Sequence, residues 1–159
     1  MLAIYGRPAD WNWLLMFHVI SALLLVSAAL VVTTASLYAL RRTTTPEATL
    51  LLRRLALRTN LFFAIPAFLA VHIFGQVLAD REFPKGTESP GWLDTGFLLT
   101  DVFGVVAIII LSLLQWWVLR RARSGSLKGW QARIATWLSP VVFTLLLVVL
   151  FLMAGKPGS

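Results

Sequence analysis

Trp13-Leu14-Leu15-Met16-Phe17-His18-Val19-Ile20-Ser21-Ala22 opens an uncharged run that continues to Leu40 and is stopped by Arg41-Arg42. About 20 apolar residues suffice to cross a bilayer core roughly 30 Å thick, and this run is longer. It exceeds the apolar region of a secretory leader, roughly 7–15 residues, and no A-x-A cleavage site follows a short core. It is therefore expected to be a retained membrane helix over residues 13–40. Working outward, three further apolar runs predict spans at 61–79, 95–119 and 134–153.

The connections carry their own signals. Thr45-Pro46-Glu47 reads as an N-cap, a first-turn proline and a first-turn acid, so the second helix should start there, outside the hydrocarbon. Pro66 should free the carbonyl of Phe62 and bend that helix, and Pro140 should distort the first turns of the fourth. The 80–94 segment, with Pro84, Gly86, Pro90 and Gly91, reads as a polar loop, and Ser124-Gly125-Ser126 as a flexible one.

Composition agrees with membrane residence. The 159 residues are 58% hydrophobic and 13% charged, with a mean hydropathy of +0.81. There is no cysteine, which excludes disulfides, thiolate metal sites and thiol redox chemistry. The net charge of +7 is explained by topology rather than by nucleic acid. Arg41, Arg42, Arg53, Arg54, Arg58, Arg120, Arg121, Arg123, Lys128 and Arg133 gather at one side, against Arg7, Arg81, Lys85 and Lys156 at the other. Ten against four is a positive-inside bias, so both termini and the 80–94 loop are expected outside the cytoplasm. Trp116, Trp117, Trp130 and Trp137 would mark the inner interface, and Trp11, Trp13 and Trp92 the outer one. The Arg53–Arg58 stretch reads as a topological anchor near lipid headgroups.

The expected fold is all-α, an antiparallel four-helix transmembrane bundle forming one integral membrane domain over residues 1–159. Its placement is the bacterial inner membrane, with the bilayer as partner; another membrane subunit or a homo-oligomer is left open.

Two histidines interrupt the apolar runs. His18 in the first span, His72 in the second and Asp101 in the third all fall on the order of 7–10 Å below the outer boundary at 1.5 Å per residue. Ionisable groups in hydrocarbon are costly and by default face the bundle interior. His18 shares a face with Ser21, Ala22, Ala28, Ala29, Ala35 and Ser36, a stripe of small residues suited to close helix contact. His72 shares one with Ala64, Ile65, Phe68, Gly75 and Gln76, and Asp101 with Gly104, Ile108, Ser112 and Gln115. Gly75 would admit a neighbour or a flat ligand. The fourth helix offers only Ser139 and Thr144, so it should close the bundle.

Three chemistries are open. His18 and His72 could ligate a haem b as an axial pair, with Arg81, Lys85 or Arg7 reaching its propionates. His18, His72 and Asp101 could bind copper or another divalent metal. A histidine–carboxylate pair could relay protons. Against these stands a structural role, each histidine bonding a backbone carbonyl or Gln76 as polar glue.

The segment Leu14 to Ala22 with His18, followed by Pro66-Ala67-Phe68-Leu69 and Gly75, resembles an uncharacterised bacterial family of four-helix integral membrane proteins with a first-helix histidine. Copper-resistance D-type proteins and the HemJ-type membrane protoporphyrinogen oxidase have similar helices. The resemblance covers the first half of the chain, carries His18 onto the family histidine and implies a haem or redox role. It does not imply the oxidase activity, because the HemJ-type pattern has polar residues where this chain is apolar. The functional expectation is a haem b site for electron transfer or a redox step. The alternatives are an accessory or assembly protein with structural histidines, and copper or proton transport. Whether the chain is an enzyme is left open.

Overall fold

Helix α1 (Asn12–Tyr38) begins one residue before the predicted span and ends near the arginine stop. The computed structural model describes residues 12–41, 44–84 and 91–155, and among them there is no strand. Helices α2 (Pro46–Thr59) and α3 (Ile65–Glu82) are joined by a π-helical turn, Asn60–Ala64, into one continuous rod. Helices α4 (Gly91–Leu98) and α5 (Val105–Arg123) are joined the same way through Leu99–Gly104. Helix α6 (Gly129–Gly155) completes the bundle. Four rods are long and apolar enough to cross a bilayer, and the chain is that of a multi-pass membrane protein.

Local chemistry accounts for the ends. Thr45 caps α2 as expected, its hydroxyl accepting from the Ala48 N–H at 3.3 Å, with Pro46 in the first turn. The Ser124-Gly125-Ser126 segment is a defined helix stop rather than merely a flexible loop. The Ser126 N–H donates to the Arg121 carbonyl, the Gly125 N–H donates to Ala122, and Gly125 sits at φ +66°, the left-handed closure that glycine favours.

The second rod runs unbroken from Pro46 to Glu82, the single helix expected from the Thr45-Pro46 start, with the apolar 61–79 run as its later part. The fourth helix begins at Gly129 rather than Ile134 and continues through Pro140. Pro66 is accommodated by the π turn immediately before it, in which the Ile65 N–H donates to the Asn60 carbonyl. The wider turn places a local adjustment where proline would break the regular ladder.

The core is built from small and polar residues. Ala28, Ala29, Ala35, Ala64 and Ala67 are buried with Leu25, Val32, Phe68, Ile108 and Leu111. Ser21, Ser36, Asn60, Gln115, Thr136 and Ser139 are buried as well. Large apolar side chains such as Leu23, Leu51, Phe62, Leu113 and Val141 face outward. Polar groups inside and hydrocarbon outside suit a lipid solvent, in which close packing and interhelical hydrogen bonds hold helices together. Asn60 donates to the Ser112 hydroxyl at 2.8 Å, tying the second rod to the third. Thr136 donates to the Ser36 carbonyl, and Ser139 to the Ser36 hydroxyl, both at 3.4 Å. Helix α6 therefore contributes Thr136 as well as the expected Ser139 to the interior, whereas Thr144 is exposed.

Candidate functional site

The small-residue face of α1 turns His18 toward α3. Its Nδ1 lies 3.0 Å from the Val71 carbonyl. A carbonyl only accepts, so the neutral ring carries its proton on Nδ1 and keeps a lone pair on Nε2. Gly75 makes this approach possible. A Cβ built there would stand 3.1 Å from His18 Cε1 and 3.4 Å from Nδ1, so the flat neighbour that Gly75 admits is the imidazole itself.

His72 faces the third rod. Its Nδ1 lies 3.1 Å from Asp101 Oδ1, yet Nδ1 is buried without an aligned hydrogen-bond partner. The carboxylate is close but off the ring N–H axis, so the contact is an electrostatic approach rather than a formed hydrogen bond. Phe97 packs edge-on to His72, ring centroids 6.3 Å apart. Asp101 lies inside the second π-helical turn and is 47% exposed in its side chain. The extra residue in that turn rotates Asp101 away from the buried stripe, which Gly104, Ile108 and Gln115 do form. Phe68 covers Gly104, where a Cβ would meet its ring at 3.1 Å.

His18 and His72 line one partly open cavity of about 90 Å³. Apart from Thr100, its other walls are apolar, from Ala22, Leu25, Phe68, Leu146 and Val149 among others. Helix α6 closes it with hydrocarbon, in keeping with its expected role. Nearby, Phe17 and Phe74 stack at 5.5 Å, and Trp13 meets both edge-on, clamping α1 to α3 beside the histidines.

The histidine–carboxylate trio is thus divided, His18 being committed to Val71 and His72 to Asp101. Among the described residues no group of three histidine, cysteine, aspartate or glutamate side chains could hold a metal ion. The expected three-ligand site of His18, His72 and Asp101 is not assembled, because Asp101 approaches the Nδ1 side of His72 instead of joining both rings around a common centre. Arg81 is exposed in the last turn of α3; Lys85 and Arg7 lie outside the described residues. Gln76 is exposed and bonds neither histidine.

A haem needs only two protein donors, since the porphyrin supplies the other four nitrogens. Each histidine presents its Nδ1 side to a carbonyl or carboxylate, as metal-ligating histidines do through their outer nitrogen. Two imidazoles match the number of protein donors that a haem takes. The enclosed space is well below the roughly 300–1,000 Å³ of pockets that surround drug-sized ligands, so a whole porphyrin would extend beyond it.

Sequence reasoning missed a second polar cluster, at the end carrying the 124–128 connection. Arg53, read as part of a topological anchor, is 7% exposed, and Gln115 is also 7% exposed. Helix α2 continues the second rod and turns Arg53 into a cavity shared with Ser36, Gln115 and Thr136. The Leu-Arg alternation around it resembled an interfacial segment, and no local signal distinguished Arg53 from its exposed neighbour Arg54.

Comparisons with protein-family models, curated proteins and solved structures gave no match.

Proposed function

We propose that this chain is a small antiparallel four-helix protein of the bacterial inner membrane that binds haem b between His18 and His72 for electron transfer or a redox step. The reading places the arginine-rich end in the cytoplasm and the histidine end near the outer leaflet, on the strength of the charge bias. The observation that carries it is one cavity lined by both imidazoles, each with Nδ1 turned to an acceptor. The bond to Val71 leaves Nε2 as the lone-pair nitrogen of His18, and this atom together with a ring nitrogen of His72 would hold the iron. Bound there, the haem would supply a one-electron couple. Val71 orients His18, Asp101 approaches and polarises His72, and the apolar walls limit water at the site.

Absorption spectroscopy tests this directly. Protein purified in detergent after expression with added haem should show a Soret band and a reduced α-band, both lost in His18→Ala and in His72→Ala. A colourless wild-type protein after incubation with excess hemin would sink the proposal.

The bond from His18 to Val71 supports a second reading. It ties α1 to α3, as polar glue would, and fits an accessory or assembly protein with structural histidines. Under that reading His18→Ala lowers the unfolding temperature while hemin shifts no spectrum. The His72–Asp101 approach at 3.1 Å fits a proton relay in third place, read by proton flux into vesicles.

A further inference from the structure

Arg53 is 7% exposed in a bundle whose lipid-facing surface is apolar. Its Nε is buried and without a hydrogen-bond partner. Across the same cavity Gln115, also 7% exposed, buries both Oε1 and Nε2 without a partner. Ser36, Ala56, Val118, Ala135 and Thr136 complete the walls, and none is acidic. Arg53 makes no ion pair among the described residues. Glu47, exposed in the first turn of α2, is the acid nearest to it in sequence, six residues away or about 9 Å along the helix. Asp80, Glu82, Asp94 and Asp101 belong to the far halves of their rods.

A buried cation is retained only when something compensates it. One water could satisfy the orphaned hydrogen-bonding atoms, but it would leave the guanidinium charge uncompensated. An anion supplies the counter-charge and accepts from Arg53 Nε–H and from the Gln115 Nε2–H; the Thr136 hydroxyl, which donates to the Ser36 carbonyl, only lines the wall. The cavity measures about 10 Å³, close to the threshold for one water-sized body. That excludes a tetrahedral phosphate or sulfate and leaves, among anions, a monatomic one.

We propose that Arg53 and Gln115 form a binding site for a chloride-sized monoanion inside the arginine-rich half of the bundle. The anion acts as the missing counter-charge that lets α1, α2, α5 and α6 close around Arg53. The site is independent of the histidine cavity, so either assignment can fail without the other.

The test uses the full chain in detergent, with tryptophan fluorescence following thermal unfolding at constant ionic strength. Sodium chloride and sodium bromide should raise Tm saturably over sodium gluconate, by roughly 5–10 °C at about 100 times Kd. Arg53→Met should abolish the response, Gln115→Leu should weaken it, and Arg54→Met should keep it. If Arg53→Met does not fold, bromide anomalous scattering from crystals of the wild-type protein decides, with a peak expected beside Arg53 Nε. Equal Tm in chloride and gluconate would mean that water fills the space and would overturn the proposal. So would an unchanged halide response in Arg53→Met. Stabilisation by phosphatidylglycerol nanodiscs over phosphatidylcholine, with none by halide, would assign the counter-charge to a lipid phosphate and also overturn it.

Discussion

The two ends of the bundle bury polar groups in opposite ways. At the histidine end His18 bonds a backbone carbonyl at 3.0 Å, while His72 Nδ1 stands 3.1 Å from a carboxylate without a formed hydrogen bond, and the cavity beside them is mostly apolar. At the arginine end a guanidinium and an amide share a cavity of about 10 Å³ with their buried atoms unsatisfied. Where the protein provides acceptors on one side of a ring, the other side is left for a ligand that coordinates. Where it provides none, the cavity calls for a small occupant that accepts hydrogen bonds. The same solvent argument, that hydrocarbon cannot solvate a polar atom, leads to different chemistry at the two ends.

The sharpest way to break this contrast is at Asp101. Under the haem proposal Asp101→Asn removes the charge facing His72 and should weaken hemin binding roughly 10–100-fold, read by Soret titration, with Arg53→Met as an unaffected control. Equal affinity would mean that the 3.1 Å approach has no influence on the ring. Gly75→Val comes next. Its side chain would press on His18, which already stands 3.1 Å from a Cβ at that position. Overpacking of this kind costs about 1–3 kcal/mol, seen as a lower Tm with the halide response intact. At the opposite end, Arg53→Met in gluconate should leave stability unchanged or raise it by about 1 kcal/mol, because an apolar replacement removes an uncompensated buried charge. A large loss in gluconate would show that Arg53 is already compensated. The smallest effect is expected for Thr136→Val, which removes the long 3.4 Å contact to Ser36. Interhelical hydrogen bonds in membranes average about 0.6 kcal/mol, so its Tm should fall only slightly.

Much of this was legible from particular residues. The Trp13–Leu40 run announced α1, Thr45-Pro46 announced the start of α2, and the alanines and serines beside His18 identified the buried face. Other features depended on partners distant in sequence. No pattern could indicate that Val71 would supply the acceptor for His18 or that the His18 ring would occupy the space over Gly75. The π-helical turns were invisible as well, since helical phase was counted at 3.6 residues per turn. The turn at Leu99–Gly104 shifted Asp101 out of the stripe that such counting assigned to it. The burial of Arg53 was not legible because charge at a helix end normally marks an interface.

Hydropathy and charge act locally along the chain, so the sequence alone determined four apolar helices, their approximate lengths and the gathering of basic residues at one end. Tertiary structure alone decided which polar atoms are satisfied. That depends on which helices lie within 3–4 Å of each other, and hence on how small residues and π-helical turns set their separation and rotation.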